Sequence, residues 1–229
     1  MKQQYLPSLF CLILGGAASG KNVPTNAIAD LVLGQQDFVT GSFVTPYSAA
    51  NLNHPSAVVV DPVSRKVFVA DFDGDRVLRY PNVQSLTNGA GAEAVFGQSR
   101  FSDGLSGNGE LKISSPSGLF LDRKGRLWVA DSDNNRVLMY EAAIYRYTQP
   151  LADASFGQTT FAANLSGTSS SQMSGPRAVI VDSNDNLWVA DTGNNRVLRF
   201  NSVSTKPALA AVADGVLGQN GFNPKSEVG

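Results

Sequence analysis

Short apolar runs separated by polar turn residues extend along most of the chain. Typical runs are VFVA at 67–70 and LWVA at 127–130 and 187–190, and each run ends at an aspartate. Runs of this length between clusters of Gly, Asn, Asp and Ser are typical of β-strands joined by tight turns. No segment repeats its apolar residues with the period of about 3.6 residues that an amphipathic helix requires. The pattern therefore predicts an all-β protein.

One motif occurs three times in register, in copies that begin at Pro55, Pro116 and Pro176. In each copy an aspartate follows the second apolar run, and an arginine follows the aspartate. These residues recur every 60 positions, as Asp71, Asp131 and Asp191 and as Arg76, Arg136 and Arg196. A second element, G-Q-x-x-F, occurs four times, at 34–38, 97–101, 157–161 and 218–222. Repetition at a fixed, long period predicts a repeat architecture.

Each repeat contains four strand signals. In the first repeat they are Ala57–Val60, Val67–Ala70, Arg76–Tyr80 and the short stretch Ala94–Phe96 before the Gly-Gln pair. Four antiparallel strands per repeat predict a β-propeller blade. We expect a propeller region over residues 21–229 with three complete blades, at about 55–98, 116–158 and 176–219, and one orphan N-terminal strand at 30–34.

The residues that carry the period are expected to have structural roles. Asp131 closes the second strand, where its carboxylate can accept hydrogen bonds from turn N–H groups and from Arg136. Asn135 lies in a tight turn that requires a positive φ, which asparagine tolerates. The equivalent structural residues are Asp71, the Gly74–Asp75 pair and Arg76 in the first repeat, and Asp191, Asn195 and Arg196 in the third. Phe68, Trp128 and Trp188 are expected to pack between neighbouring blades.

The N-terminus has the order of a secretory signal peptide. Lys2 precedes the apolar run 5–14, and the small residues 15–20 follow it. The run is shorter than the roughly 20 apolar residues that cross a bilayer. We therefore predict a signal peptide over residues 1–20, a secreted or periplasmic protein, and no membrane span. A lipid anchor at Cys11 is the alternative, and the bulky Leu9 and Phe10 before it argue against that processing.

Residues 15–21 also match the outline G-x-x-x-x-G-K of a phosphate-binding loop. That loop needs Ser or Thr at the next position to hold magnesium, and then a helix that directs backbone N–H groups at phosphate. The chain has Asn22 at that position and Pro24 shortly after it. We interpret the match as part of the signal peptide.

Composition limits the chemistry. The 18 Lys and Arg residues are balanced by 19 Asp and Glu residues, so the basic surplus of a nucleic-acid-binding protein is absent. His54 is the only histidine, and one histidine cannot make the usual zinc site of a hydrolase or lyase. The carboxylates of Asp71-x-Asp73-x-Asp75 resemble part of a calcium loop, but the later Gly and Glu are missing. A hairpin turn is the favoured interpretation, and we predict no metal and no cofactor.

The block V-A-D-x-x-x-N-R-V-L, preceded by P-x-x-x-x-x-D, resembles the NHL repeat, and the G-Q-x-x-F spacer is typical of secreted bacterial NHL-repeat proteins. The resemblance implies a β-propeller, usually with six blades. It implies no single function, because relatives bind proteins, RNA or glycans, act as extracellular sensors, or work as metal-dependent lyases and lactonases. Lactonase relatives use acidic and Asn ligands around the channel, which would correspond to Asp61, Asp122 and Asp182. Their presence in every repeat favours a turn role instead.

Three repeats are fewer than the about four to eight blades of a closed propeller. We therefore interpret the chain as a partial or truncated propeller. The alternative is a homodimer in which two arcs close a six-blade ring, although that would leave the strand at 30–34 redundant.

The loops between blades differ most while the framework repeats, which is typical of binding loops. They span 41–54, 102–115 and 162–175, and Phe43, Tyr47 and His54 are the contact candidates in the first loop. We predict a non-enzymatic binding scaffold for an unidentified protein or glycan ligand. The alternative is a metal-dependent lyase or lactonase-like enzyme that is incomplete in this chain.

The signal peptide leads to the first testable prediction. Expression of the full chain in a Gram-negative bacterial host should give a periplasmic product whose N-terminus, read by Edman degradation, lies between Ser19 and Asn22. That product lacks Cys11 and gives no reaction with a thiol reagent. A cytoplasmic product that retains Met1 would contradict the prediction.

Overall fold

The computed structural model describes residues 28–41, 45–147 and 149–222, so the predicted signal peptide lies outside the described residues. Within these ranges the chain forms twelve strands in three sheets, with only short 3-10 segments. The strands are β1 Pro55–Val60, β2 Lys66–Asp71, β3 Arg76–Asn82, β4 Ala94–Phe96, β5 Pro116–Leu121, β6 Leu127–Asp131, β7 Arg136–Tyr140, β8 Ala154–Phe156, β9 Pro176–Val181, β10 Leu187–Asp191, β11 Arg196–Phe200 and β12 Gly215–Leu217. None of the described helical segments has the length and apolar character needed to cross a membrane.

Each sheet is one repeat, and its four antiparallel strands pair in chain order. We name the sheets blade 1 (β1–β4), blade 2 (β5–β8) and blade 3 (β9–β12). In every blade the closing aspartate of the second strand pairs with the arginine that begins the third, as Asp131 does with Arg136. The predicted all-β fold with three complete four-stranded propeller blades is confirmed.

Consecutive blades pack face to face through apolar side chains. Between blades 1 and 2, the ring of Phe96 lies edge-on to that of Tyr140, with their centroids 5.2 Å apart, beside Phe68. Between blades 2 and 3, Trp128 and Phe156 pack on the side chains of blade 3. Phe68 and Trp128 therefore have the interblade positions that the sequence predicts. Trp188 lies on the outward face of blade 3, where no further blade covers it within the described ranges.

The prediction of a strand at 30–34 is wrong, because these residues form no strand. They nevertheless lie against blade 1 as β4 lies against blade 2: Gly34 abuts Leu52, as Gly97 abuts Ile113. A β-strand also needs a backbone partner. The third strand of every described blade is already paired with its own fourth strand, so this segment has no ladder to join.

A buried aspartate–arginine pair closes each blade. In blade 2, Arg136 Nε donates to Asp131 Oδ2 at 2.6 Å, and both side chains are fully buried. Asp131 also accepts from the Ser114 N–H at 2.7 Å and from the Asn134 amide. Burial raises the pKa of Asp131 to about 6, and the attraction of Arg136 opposes that rise. The carboxylate accepts from N–H donors on the linker, the turn and Arg136, and it thereby joins the hairpin to the linker before the blade.

The remaining guanidinium N–H groups bind the linkers on both sides of the blade, before β5 and after β8. Arg136 donates through Nη1 to the Phe161 carbonyl and through Nη2 to the Lys112 carbonyl at 2.9 Å. The phenylalanine of G-Q-x-x-F is thus held by the arginine of its own blade. Arg76 and Arg196 make the same contacts, to the carbonyls of Phe101 and Phe222.

The turn after the aspartate has a left-handed residue in all three blades. Asn135 and Asn195 both have φ of 53°, as the sequence predicts. In blade 1 the positive φ, 50°, falls on Asp75. Gly74 meets a different need, since a Cβ there would lie 2.3 Å from the Asp71 carboxylate.

Removal of one partner tests the importance of the buried pair. Asp131→Ala leaves Arg136 buried without its carboxylate and should lower the free energy of unfolding by roughly 3–5 kcal/mol. Asp153→Ala breaks the Arg146–Asp153 pair, whose side chains are about one-third exposed, and should cost only about 0–1 kcal/mol. Urea unfolding followed by tryptophan fluorescence measures both changes. Equal effects of the two substitutions would contradict the assigned role.

Candidate binding surface

One end of the three blades is formed by the β2–β3, β6–β7 and β10–β11 turns together with the linkers that enter each blade. We call this end the linker face; it comprises residues 45–54, 72–75, 102–115, 132–135, 162–175 and 192–195. The motif aspartates place turn and linker side by side, because each accepts a hydrogen bond from a linker N–H. Backbone bonds repeat the arrangement: the N–H groups of Asp73, Asp133 and Gly193 donate to the carbonyls of Asn53, Ser114 and Ser174.

The residue before each blade's first proline has the same backbone conformation in all three blades and a different side chain. The φ angles of His54, Ser115 and Gly175 are 56°, 52° and 52°. His54 Nδ1 lies 2.6 Å from Asp73 Oδ2, and Ser115 Oγ donates to Asp133 Oδ2 at 2.7 Å. Blade 3 has glycine at both equivalent positions, Gly175 and Gly193. We call these three pairs the turn–linker pairs.

The turn–linker pairs are accessible. The side chain of His54 is 77% exposed and that of Asp73 is 44% exposed. An added Cβ on Gly175 would meet no atom within 4 Å, so blade 3 leaves open space at the same place. The linker face therefore presents an imidazole with a carboxylate, a hydroxyl with a carboxylate, and a gap.

Of the three predicted contact residues, only His54 is exposed and presented by the described structure. Tyr47 is partly buried: its hydroxyl donates to the Asp73 carbonyl at 2.8 Å, and the Arg76 guanidinium lies 4.8 Å from its ring centroid. These contacts give Tyr47 a framework role that holds the turn beneath His54. Phe43 lies outside the described residues.

Carboxylate side chains lie close together between blades 1 and 2 on this face. Asp75 Oδ1 accepts from the Ser115 N–H of the next blade at 2.9 Å, as Asn135 Oδ1 does from the Gly175 N–H. Burial raises the pKa of the Asp75 carboxyl, the Ser115 bond opposes this, and the nearby charges of Asp133 and Asp73 raise it further. Asp75 thus carries a charge where the other two blades have a neutral amide.

The carboxylates of 71–75 have separate partners. Asp71 binds Arg76, Asp73 binds His54, and Asp75 binds Ser115. Across the described part of the chain, no group of three or more His, Cys, Asp or Glu side chains is placed to hold a metal ion. This geometry favours the hairpin interpretation over a calcium loop.

The aspartates that would correspond to lactonase ligands are turn residues at the other end of the blades. Asp182 Oδ1 accepts from the N–H groups of Asn184 and Asn186, each at 2.9 Å, and Oδ2 accepts from the Trp188 indole. Asp61 and Asp122 accept turn N–H groups in the same way. Their recurrence in every repeat thus has a structural cause.

A cleft of about 230 Å³ lies at that end between blades 2 and 3. Arg126 borders it and donates to Asp122 at 2.6 Å, to Ser204 at 2.8 Å and to Asp185 at 2.5 Å. Burial opposes ionisation of Asp185, but hydrogen bonds from Ser204 and Arg126 outweigh it and lower the pKa of the carboxyl. The buried guanidinium here joins two blades, and each of its three nitrogens donates to a partner within the protein.

Asp73, Ser115 and Asp133 are site residues that the sequence analysis did not single out as contacts. Alignment of the three repeats with one another could have identified these residues. The position before the proline and the second position after the motif aspartate both change chemistry between copies. That the two positions touch follows only from the backbone bonds between turn and linker.

The charge on Asp75 leads to a stability prediction. Because its pKa is raised in the folded chain, ionisation costs stability once the pH rises past the unfolded value of about 3.9. Asp75→Asn keeps the acceptor for Ser115 and copies blades 2 and 3. It should raise the free energy of unfolding by roughly 0.5 kcal/mol at pH 7, and the gain should disappear near pH 3.

Urea unfolding at both pH values measures the effect. Asp30→Asn makes the same change in net charge at an exposed residue and serves as the control. A gain of equal size at pH 7 and pH 3 would show that the ionisation of Asp75 is not its cause.

Structural comparison finds partial similarity to many solved chains, and three of these proteins serve as examples. They are virginiamycin B lyase from Staphylococcus aureus (17% identity, TM-score 0.42, 66% of this chain and 39% of that chain), hydrazine synthase from Kuenenia stuttgartiensis (12%, 0.45, 73% and 37%) and a functionally unknown protein from Desulfotomaculum acetoxidans (13%, 0.44, 71% and 41%). The chain thus spans less than half the length of each. These similarities are too low to carry an argument about function.

A search of curated proteins finds no match. The NHL repeat model matches residues 114–140 and 173–200, which are the core strands of blades 2 and 3 with the linker residues before them. The first copy of the motif lies outside both matches, yet it folds into the same four-stranded sheet with the same buried Asp71–Arg76 pair. The chain thus contains two segments that match the NHL repeat, within a fold of three β-propeller blades.

Proposed function

We propose that the protein is a non-enzymatic binding scaffold that recognises its ligand through the linker face. The observation that carries the proposal is the set of turn–linker pairs: one backbone arrangement presents His54 with Asp73, Ser115 with Asp133, and Gly175 with Gly193. The charged residues that recur in every repeat are instead buried and bonded within the blades. A repeated frame with changing exposed side chains is what a binding surface needs.

The chemistry of the pairs indicates a polar ligand. An exposed imidazole and carboxylates can donate to and accept from hydroxyl groups, and the carboxylates attract cationic groups. The gap at Gly175 admits a bulkier part of the ligand on the blade 3 side. A glycan or a hydroxyl-rich or basic protein segment fits these features.

We also propose that the scaffold works outside the cytoplasm. The support is the order of charged, apolar and small residues over 1–20. A framework with no disulfide requirement is compatible with that location, since the single Cys11 lies inside the predicted signal peptide.

Defined ligands test the proposal. The chain should select a consistent ligand from a glycan array or a displayed peptide library, and calorimetry should then give its affinity. The double substitution His54→Ala with Asp73→Ala should weaken that affinity at least about tenfold, because it removes the exposed pair. Arg123→Ala with Lys124→Ala, at the opposite end of blade 2, should leave it unchanged.

Three outcomes would overturn the proposal. Equal affinity of the wild-type chain and the His54/Asp73 variant would exclude the linker face. Loss of binding in both variants would place the site elsewhere. Stoichiometric metal in the purified protein, together with turnover of a lactone, would favour the lactonase-like enzyme instead.

A further inference from the structure

The outward face of blade 3 is an exposed apolar surface. The equivalent faces of blades 1 and 2 are buried against the next blade. We call the blade 3 face the open flank; it comprises Ile180, Trp188, Val197 and Leu217. Leu217 is 56% exposed, whereas its equivalents Phe96 and Phe156 are 0% and 2% exposed against the next blade. Ile180 is 52% exposed, although its equivalent Phe120 packs on blade 3. Apolar groups exposed together in this way indicate an interface.

Polar atoms on the same side of blade 3 also lack partners. Within the described residues, Arg199 Nε and Gln219 Oε1 are buried and make no hydrogen bond. In blade 1 the equivalent side chains reach the next blade: Gln98 Oε1 accepts from Lys112 Nζ of the linker to blade 2 at 3.0 Å, and Arg79 Nη1 donates to the Ala143 carbonyl of blade 2 at 2.6 Å. Arg79 Nε binds Glu93 of its own blade. Buried polar atoms without partners are costly. The flank therefore has the features of a blade-to-blade contact that is not made.

Residues 31–34, at the other end of the arc, are placed like the fourth strand of a preceding blade. The Gly89 N–H donates to the Val32 carbonyl at 3.2 Å, as the Gln149 N–H does to the Val95 carbonyl at 3.4 Å. The segment has the same sequence as the end of β12, since both 32–35 and 216–219 read V-L-G-Q. The segment thus has the position and the sequence of a fourth strand, but no third strand lies beside it.

We propose that a second copy of this chain docks on the open flank and pairs its residues 31–33 with β11 in place of β12. Each copy donates its residues 31–33 to β11 of the other copy, so that two arcs of three blades close a ring of six blades. The exchange conserves the ladder: β12 makes three residue pairs with β11, and Leu31, Val32 and Leu33 can make the same three. Arg196 of the partner subunit then donates to the Phe38 carbonyl instead of that of Phe222.

The strand pairing is the same before and after the exchange. Burial of Ile180, Trp188 and Val197 in both copies therefore drives it, with Leu33 of the other copy in the place of Leu217. The arrangement gives the residues 30–34 a use in the dimer, where they would otherwise be redundant. Six blades also lie within the range of about four to eight that closes a propeller.

A matched pair of variants tests the exchange. Light scattering after size exclusion should give the wild-type chain twice its monomer mass of 24.2 kDa, less any signal peptide removed. Leu33→Asp should give a monomer, because Leu33 enters the partner's core. Leu217→Asp should stay dimeric, because β12 is displaced. A monomeric wild type, larger open assemblies, or monomers from both variants would overturn the proposal.

A disulfide trap gives a second readout that does not depend on the folding of Leu33→Asp. Gly215 faces Arg199 across β11 and β12, and Leu31 aligns with Gly215. Leu31→Cys with Arg199→Cys, in a Cys11→Ser background, should give a covalent dimer on a non-reducing gel. Each single cysteine variant should stay unlinked. An intramolecular link, or a dimer in solution with no link, would show that β12 is not replaced by the partner's segment.

Discussion

The buried aspartate–arginine pair is the interaction on which the rest of this structure depends. Removal of two opposite charges from water costs free energy. This cost is offset only if nearly all of their hydrogen-bonding groups have partners. Each motif arginine satisfies this by binding its aspartate, a linker carbonyl before the blade and the phenylalanine carbonyl after it. One side chain thereby sets the position of two loops that are distant in the sequence.

This constraint explains where the chain is free to vary. Turn and linker backbones are held together by the aspartate and by the bonds between their main chains, so their conformations are nearly the same in all blades. The side chains at 54, 115 and 175 and at 73, 133 and 193 lie just outside that network. They can change from imidazole to hydroxyl to hydrogen without loss of a framework bond, which is why the proposed recognition residues are found there.

Stacking of the blades follows a different rule. Blades 1 and 2 each bury an aromatic and aliphatic face against the next blade, and blade 3 leaves the equivalent face open. Blades 1 and 3 carry a cation on this face, at Arg79 and Arg199. Where a neighbour is present, Gln98 Oε1 accepts from Lys112 of the linker to it; where none is described, the equivalent Gln219 Oε1 lacks a partner. The interface is therefore encoded separately in every repeat. This property allows blades of two copies to stack as consecutive blades of one copy do, and it links the open flank to the unpaired segment 30–34.

The sequence alone determined the all-β class, the three blades and the structural residues, because strand alternation and turn chemistry are local and the 60-residue period repeats them. It also indicated that Arg76, Arg136 and Arg196 belong to the hairpins. The tertiary structure decided which of the candidate residues are presented. His54 is exposed, while Tyr47 is held by Arg76 and the Asp73 carbonyl, contacts between segments that no local pattern encodes. It likewise decided that 30–34 is no strand, because pairing depends on a neighbouring strand and is not a property of the segment itself.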